Sequence, residues 1–325
     1  MSRNALSCQL KISVIIPVKN GAATLERCLD ILYKQTYKNI EVIILDSIST
    51  DNSAAIAKKY GATVVDIATG TFDHGLTRNI GVQHASGELL FFTVQDAWIA
   101  EQDMLEQMAE HFNDDEIMAA VGHQAVPHEK DKNPVLWYRP YSKPKAIVRQ
   151  IQDAAVFKKL PVPEQQSLIA WDNVVALYRK SALIQQPFIS TAFAEDWEWS
   201  YRALLKGWKL LYDPSLLVYH YHHRNYQYTF NVAYTLNYHF YQYFQYLPSI
   251  PSCIMPVIKN SYHLIRNREL STRGKFYWIR HNAVIICANF FSVINFLTRF
   301  KIKGKQGIEA GYGRYCNTIP QGKQK

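Results

Sequence analysis

The first ninety residues alternate short apolar runs with stretches in which apolar side chains recur every three or four positions. The apolar runs are KISVIIPV (11–18), IEVIILD (40–46), ATVVDI (62–67) and ELLFFTV (88–94). Helical spacing lies between them, over residues 24–34, 51–60 and 78–85. Continuous apolar strands separated by helices are typical of a parallel sheet covered on both faces. The pattern predicts an α/β fold with its ligand at the carboxyl ends of the strands.

The middle of the chain has a weaker pattern. Residues 123–170 are polar, basic and rich in proline, which predicts loops inserted into the sheet unit. Strand patterns return in WDNVVALYR (171–179) and in KLLYDPSLLVYHYHH (209–223). The stretch between them predicts a helix that starts near Asp196, with Trp197, Tyr201, Leu204, Leu205 and Trp208 along one face.

The net charge of the 325-residue chain, +9, is concentrated near the C-terminus. Residues 225–325 hold 13 Lys and Arg against 2 Asp and Glu, which gives +11, and residues 1–224 carry −2. This asymmetry predicts two units, 1–224 and 225–325, with separate functions. The five cysteines form no CxxC pair. Their scatter argues against a disulfide framework or a cysteine-ligated zinc site, and it fits a reducing cytosol.

Two long stretches of the second unit, 229–258 and 282–298, contain no Lys, Arg, Asp or Glu. The second is 17 residues long, at the short limit for a membrane-spanning helix, and it contains three asparagines. Three alternatives remain open for it: a spanning helix, a core helix under a basic surface, and an interfacial helix. In the last, aromatic side chains lie at headgroup depth and the flanking Lys and Arg contact anionic lipid.

Polar residues follow several of the predicted strands. Asp46 opens DSISTDNS (46–53), where its carboxylate could accept a hydrogen bond from a nucleobase or ribose, or where the cluster could simply cap the next helix. Arg78 and Asn79 stand beside a helix start, after a flexible His74-Gly75 pair. An arginine in that position is well placed to pair with phosphate.

A second set of polar residues could hold a metal ion. Asp96 comes just after the strand 88–94, and strand alternation places His220 and His222 on one face. A carboxylate and a histidine, completed by phosphate oxygens of the substrate, would suit Mg²⁺ or Mn²⁺. The alternative is that these histidines are structural.

Glu195 and Asp196 precede or open the predicted helix, next to Trp197 and Trp199. One interpretation is an acidic first turn that only stabilises its own helix through the dipole. That interpretation leaves the tryptophans unexplained, because a solvated helix face would not need them and an apolar core would not accept the acids. The dipole favours the ionised carboxylate, whereas neighbouring acids raise its proton affinity, so the direction of the pKa shift stays open.

In this order, the motifs resemble those of the family 2 inverting GT-A glycosyltransferases over residues 11–223. The shared motifs are SVIIPVKN, DSISTDNS, RNIG, ASGELLFFTVQDA and AEDW. Other features are similar to the bacterial rhamnosyltransferase branch, namely HG-x-TRN, the QDA variant, GHQ (122–124), EDWEWSYR and VYHYH. The resemblance implies a GT-A fold, Rossmann-like, with a mostly parallel central sheet flanked by helices, and a helical, basic-aromatic C-terminal extension.

The resemblance also implies roles for individual residues. It makes Asp196 the catalytic base and Asp96 the metal carboxylate, helped by His220 or His222. Nucleotide-sugar contacts are expected from Pro17, Asn20, Asp46, His74, Arg78, Asn79 and Gln95. Acceptor or sugar contacts are expected from Gln124, Trp171, Glu195 and Trp197. The chain departs from the common pattern at Val94, in place of the first Asp of Asp-x-Asp, and at Ser47 and Ile48, in place of Asp-Gly.

The implied function is transfer of L-rhamnose from dTDP-β-L-rhamnose to a lipid-linked or cell-surface polysaccharide such as O-antigen or capsule. The enzyme would be cytoplasmic and peripheral on the inner face of the bacterial membrane. Alternatives are a UDP-hexose or UDP-N-acetylhexosamine donor, and a non-catalytic nucleotide- or glycan-binding protein. A dinucleotide-dependent oxidoreductase is disfavoured because PVKNGAAT stands where GxGxxG is required. Nucleic-acid binding is disfavoured by the uncharged aromatic runs.

Overall fold

The computed structural model describes residues 10–68, 72–137, 145–191, 193–251 and 253–316. They form two compact units. The first contains residues up to 125 together with 145–221, and the second contains 126–137 together with 222–316. The segment 126–137 therefore groups with the C-terminal part of the chain. The predicted division after residue 224 by function stays a prediction.

A nine-stranded sheet forms the centre of the first unit in the described part of the chain. Its strands are β1 (Ile12–Val18), β2 (Ile40–Asp46), β3 (Thr63–Asp66), β4 (Leu89–Phe92), β5 (Ala97–Ile99), β6 (Ile117–Ala125), β7 (Ile147–Arg149), β8 (Ala176–Arg179) and β9 (Lys209–His220). The strand order is β3-β2-β1-β4-β8-β6-β9-β5, and β7 pairs with β9.

The β3-β2-β1-β4 half is parallel throughout, and β6 is parallel to β9. Strands β8, β5 and β7 run antiparallel to their neighbours. The apolar runs that predicted β1, β2 and β4 are buried because helices cover both faces. The predicted α/β fold class is confirmed, and the parallel half brings the carboxyl ends of β1, β2 and β4 to one edge.

The helices of the first unit lie between and after these strands. They are α1 (Ala22–Tyr33), α2 (Ser53–Lys59), α3 (His74–His84), α4 (Met104–Glu110), α5 (Ala154–Lys159), α6 (Val162–Ile169), α7 (Lys180–Gln185) and α8 (Glu195–Leu205). The interpretation of residues 123–170 as loops was wrong in part, because β7, α5 and α6 form there. Short elements of this kind have too few residues for a clear period.

Helix α3 begins four residues earlier than its pattern predicted. Asp73 caps it, accepting a hydrogen bond from the Leu76 amide at 2.8 Å. His74 and Gly75 therefore belong to the first helical turn and are not a flexible pair. A Cβ atom at Gly75 would lie 2.2 Å from the carbonyl oxygen of Ile189, so this position requires glycine.

The second unit is built from α9 (Tyr226–Phe244), α10 (Ile254–Arg266) and α11 (Thr272–Cys316). Tyr234 of α9 and Phe296 of α11 are fully buried with ring centroids 5.2 Å apart. Helix α11 is kinked at Gly304, where φ is +54°. The uncharged run 282–298 forms part of α11 and presents Asn282, Ser292 and Phe296 to the interior.

Within the described residues, α11 is the one helix long and apolar enough to cross a membrane, judged by length and composition alone. The most apolar window of α11 is 22% buried. Its inward face packs against α9, as in the core-helix alternative, whereas Phe291 is exposed.

Candidate active site

The loops that follow β1 and β2 are joined by side-chain hydrogen bonds. The Asp46 carboxylate accepts from the backbone amide of Ser49 at 3.2 Å and from its hydroxyl at 2.5 Å. Asn20 Oδ1 accepts from the Thr50 amide at 2.8 Å. Asn20 and Ile48 both have left-handed backbone conformations, with φ of +49° and +53°. Ile48 stands where the family pattern has glycine, so this chain holds a β-branched residue in a conformation that costs about 1–2 kcal/mol.

Gln95 follows β4 at the same edge of the sheet and contacts the loop after β1. Its Oε1 accepts from the Lys19 amide at 2.8 Å, and its Nε2 donates to the Lys19 carbonyl at 3.3 Å. Pro17, half-buried, precedes this contact in β1. A Cβ atom at Gly21 would lie 2.4 Å from Gln95 Oε1, so the glycine makes room for the amide. Gln95 thus supports the loop that carries Asn20.

The side-chain amide of Asn79 is hydrogen-bonded to the backbone of Phe188. Its Nδ2 donates to the Phe188 carbonyl at 2.8 Å, and its Oδ1 accepts from the Phe188 amide at 3.1 Å. These two bonds use the oxygen and one N–H of the amide. His74 lies one turn earlier, and burial lowers its pKa, which favours the neutral imidazole at pH 7.

Arg78, predicted as a phosphate partner, forms a buried ion pair with Glu195. The Nη1–Oε1 distance is 2.7 Å, and the two side chains are 6% and 7% exposed. Nη1 also donates to the His74 carbonyl at 3.0 Å. Nε of Arg78 is buried with no hydrogen-bond partner among the described residues, so the guanidinium retains a donor for a ligand. Removing either member of such a pair would leave an uncompensated charge.

Glu195 and Asp196 occupy the first turn of α8, directly after Ala194. Ala194 has φ +61° and ψ +34°, a left-handed conformation that a non-glycine residue rarely adopts. Such strain is often found at functional sites, where the surrounding structure holds it. Here it places two adjacent acids at the start of a helix.

Both acids are held by Asn173, which sequence analysis did not identify. Trp171 Nε1 donates to Tyr178 Oη at 2.7 Å, and Tyr178 Oη donates to Asn173 Oδ1 at 2.6 Å. Asn173 Nδ2 then donates to Glu195 Oε1 at 3.2 Å, and the Asn173 amide donates to Asp196 Oδ2 at 3.3 Å. Because an indole N–H can only donate, the tyrosine must donate onward, and this orients the amide toward Glu195.

The two acids have opposite pKa shifts. Burial tends to raise the pKa of Glu195, but the positive charge of Arg78 outweighs it, and the net shift is downward. Burial raises the pKa of Asp196 well above its usual range, and the charges of Glu195 and Asp172 raise it further. The negative charge of the pair therefore resides on Glu195, and Asp196 is the stronger proton acceptor.

Asp172 is a further acid at this site that sequence analysis missed. Its Oδ2 accepts from Gln124 Nε2 at 3.3 Å, which connects it to a predicted acceptor contact. Burial raises the pKa of Asp172. The available signal was the polar run Trp171-Asp172-Asn173 immediately before β8, inside a stretch that was interpreted only as a strand.

The tryptophans near the acids differ in exposure. Trp199 is fully buried and donates from Nε1 to the Gln186 carbonyl at 2.7 Å. Trp171 is also buried, among the same aromatic side chains. Trp197 is half-exposed. Of the three, Trp197 is the most exposed.

The predicted apolar face of α8 was wrong in part, since Leu204 is buried but Trp197, Tyr201, Leu205 and Trp208 are not. The buried positions are Glu195, Glu198, Trp199, Ser200, Ala203 and Leu204. Trp197 and Tyr201 are only half-buried, because the buried face carries Glu195 and Glu198 and is not the most apolar one. Arg202 Nη2 donates to Glu198 Oε2 at 2.8 Å, an ion pair between residues four apart on the helix.

Asp96 and His220 meet where β5 and β9 pair. Asp96 immediately precedes β5, and Ala97 is opposite His220 in the antiparallel register. Asp96 Oδ1 lies 3.3 Å from His220 Nε2. His222 comes two residues after His220, at the first position of the second unit.

Comparison with known proteins identifies the family. The profile described as "Glycosyl transferase family 2" matches residues 13–159. The O-antigen chain rhamnosyltransferase RfbN of Salmonella typhimurium is 30% identical over 220 residues, which cover 66% of this chain and 67% of that protein. The chain belongs to glycosyl transferase family 2. It is therefore a glycosyltransferase, as the motifs predicted.

Solved structures support the fold of this glycosyltransferase. S. aureus TarS, residues 1–349, has a TM-score of 0.55 at 17% identity, over 96% of this chain and 81% of that one. The mannosyltransferase PcManGT of Pyrobaculum calidifontis, solved with GDP-Man and Mn²⁺, has a TM-score of 0.51 at 16% identity, over 94% and 79%. Identities this low show the fold alone, which is the predicted GT-A architecture.

The donor set around Asp96 fits a divalent cation. The Asp96 carboxylate and the His220 imidazole at this separation could share one Mn²⁺ or Mg²⁺, with phosphate oxygens of a substrate completing the coordination. Val94, in place of the first carboxylate of the family pattern, packs against the apolar core and offers no ligand. The chain therefore has one carboxylate fewer at this position than the family pattern, and the nitrogen of His220 lies next to the remaining carboxylate, that of Asp96.

Proposed function

We propose that this glycosyltransferase moves L-rhamnose from dTDP-β-L-rhamnose to a lipid-linked or cell-surface polysaccharide, with inversion to an α-linkage. Two rhamnosyltransferases are among its relatives, at 30% identity, and the name of each places it in O-antigen chain synthesis. A capsule or O-antigen intermediate is the acceptor class that fits this relationship.

The observation that carries the mechanism is the division of charge between Glu195 and Asp196. Arg78 and Asn173 stabilise the ionised form of Glu195. Asp196 lies beside this negative charge and has the higher proton affinity, which suits a general base. In the proposed reaction Asp196 removes the proton from the acceptor hydroxyl as that oxygen attacks the anomeric carbon. The nucleotide diphosphate leaves from the opposite face of the sugar.

The donor end of the site would use the loops after β1 and β2. Asp46, Asn20 and Pro17 are proposed to contact the nucleoside. Arg78, whose buried Nε has no hydrogen-bond partner among the described residues, is proposed to pair with the diphosphate. Asp96 and His220 would hold a divalent cation, which neutralises charge on the leaving diphosphate. Half-exposed Trp197 and Gln124 are proposed to contact the sugar or the acceptor.

A UDP-sugar donor is the second candidate. TarS, which has the same fold, has been solved in complex with UDP-GlcNAc. The donor loops contain no described feature that separates thymine from uracil, so the family relationship alone favours the deoxythymidine nucleotide.

The test is release of nucleotide diphosphate from dTDP-rhamnose, UDP-glucose, UDP-galactose, UDP-GlcNAc and GDP-mannose, with Mg²⁺, Mn²⁺ or EDTA. Asp196→Asn should reduce the release by about 10²- to 10⁴-fold, because it removes the base. Asp115→Asn, at a fully exposed side chain, is the matched control. Selective turnover of dTDP-rhamnose supports the proposal, and selective turnover of a UDP-sugar replaces it with the second candidate.

We further propose that the enzyme is peripheral on the cytoplasmic face of the membrane, where a lipid-linked acceptor would reside. Support comes from the excess charge of +11 in residues 225–325 and from the long apolar helix α11. Lysine and arginine near an anionic leaflet each contribute about 1 kcal/mol to association.

A further inference from the structure

Helix α10 is amphipathic, and its apolar side is exposed to solvent. Leu264 is buried, and Val257, Asn260 and Ser261 are half-buried beside it. The outward side carries large apolar side chains that are each between 53% and 68% exposed: Ile254, Met255, Ile258, Tyr262 and Ile265. These five residues are called the α10 face below.

The α10 face is continuous. Its members stand at positions 1, 2, 5, 9 and 12 of the helix. At 3.6 residues per turn these positions fall within an arc of about 100°. Lys259 and Arg266 project along one border of this arc, and both are exposed. An uninterrupted apolar arc with a basic border is typical of helices that lie in a membrane interface.

The end of the helix adds positive charge next to the α10 face. Lys275 of α11 donates from Nζ to the Ile265 carbonyl at 2.7 Å, so a lysine satisfies a carbonyl group of the last helical turn. The Arg266 guanidinium lies 5.2 Å from the centre of the Tyr262 ring. Phe276, one residue after Lys275, is 74% exposed.

The α10 face could be covered by a second copy of this chain or by a membrane, and the charge beside it favours the membrane. In a two-fold pairing of two α10 faces, each copy would bring its own Lys259 and Arg266 to the interface, within a unit that already carries a large positive excess. Such a pairing is opposed by like-charge repulsion. An anionic bilayer offers both an apolar layer and opposite charge.

We propose that the α10 face inserts at headgroup depth into an anionic membrane, with Lys259 and Arg266 reaching the lipid phosphates. This inference rests on the proposed membrane-associated function and assigns it to a defined surface. The apolar stems of the two basic side chains would lie along the interface while their charged ends remain in water.

The test uses the full chain and sedimented vesicles of phosphatidylglycerol and phosphatidylcholine, compared with vesicles of phosphatidylcholine alone. The wild type should bind the anionic vesicles, and Ile258→Ser/Ile265→Ser should lower the partition coefficient at least about tenfold. Val156→Ser/Ile184→Ser is the matched control, since these residues of the first unit are 57% and 65% exposed. That variant should bind like the wild type.

A second variant, Lys259→Gln/Arg266→Gln, tests the contribution of the two basic side chains. It should weaken binding to anionic vesicles and leave binding to neutral vesicles unchanged. Unchanged partitioning of the Ile258/Ile265 variant would overturn the proposal. The proposal would also be overturned if sedimentation velocity showed that the wild type is a dimer and that the Ile258→Ser/Ile265→Ser variant is a monomer.

Nucleotide release from the donor alone is measured in parallel and should be unaffected, because α10 contains none of the proposed donor-site residues. Failure of the donor assay would therefore leave the vesicle result standing.

Discussion

Two adjacent carboxyl groups in this site have different chemistry because their partners differ. Glu195 faces the Arg78 guanidinium and the Asn173 amide, both of which stabilise negative charge. Among the described residues, Asp196 accepts hydrogen bonds from the backbone N–H groups of Asn173 and Trp197, and it lies beside an ionised neighbour. A buried carboxyl next to a negative charge gains proton affinity. The ion pair therefore acts on the proposed base through Glu195.

The raised pKa of Asp196 predicts the acid side of the pH profile. A general base works in its ionised form, so kcat/KM should rise as pH increases through that pKa, at a pH well above the usual aspartate range. Asp172→Asn removes a negative charge that raises this pKa, so the rise should move to lower pH. Asp115→Asn should leave the profile in place. A profile that does not move in Asp172→Asn would contradict the assignment of Asp196.

The chain of hydrogen bonds through Tyr178 should contribute to stability. Tyr178→Phe would leave Trp171 Nε1 and Asn173 Oδ1 buried without their partner, so we expect a loss of about 1–3 kcal/mol in the free energy of unfolding. Urea denaturation measures it. Tyr33→Phe, at a tyrosine that is 36% exposed, should change the free energy by less than about 0.5 kcal/mol. Equal effects of the two substitutions would refute the prediction.

At the scale of elements, α9 and α11 approach each other closely through a glycine. A Cβ atom at Gly311 would lie 2.0 Å from Tyr234 Oη, whereas one at Gly313 would meet no atom within 4 Å. Gly311→Ala should therefore destabilise the second unit by about 1–3 kcal/mol through overpacking. Gly313→Ala should stabilise it by up to about 1 kcal/mol, because alanine favours the helix. Denaturation curves of both variants should show opposite signs, and equal signs would show that this contact does not limit packing.

The elements also show where periodicity is informative. Strands β1, β2 and β4 were predicted within one or two residues at each end, because each is a continuous apolar run between turns. The buried side of α8 was not predicted, since it contains Glu195 and Glu198. Hydrophobic spacing cannot identify an inward face whose acids are satisfied by partners from other parts of the chain.

For the whole molecule, ligand binding should report on the donor site. A nucleotide that binds only the folded chain stabilises it by about 2.7 kcal/mol at one hundred times its Kd. We expect dTDP to raise Tm, and Mn²⁺ to raise it further by completing the site at Asp96 and His220. Asp96→Asn should abolish the Mn²⁺-dependent part and keep the remainder, and EDTA should do the same to the wild type. An Mn²⁺ effect that persists in Asp96→Asn would place the ion elsewhere.

The sequence by itself established the α/β fold class, the first strands, the family resemblance and the basic character of residues 225–325. These features are local or compositional, so they can be identified without knowing which distant residues meet. The contact of Arg78 with Glu195, the position of Asn173 beside both acids, and the outward apolar side of α10 depend on residues far apart in the chain. Such contacts depend on how the elements pack together, and no single stretch encodes that packing.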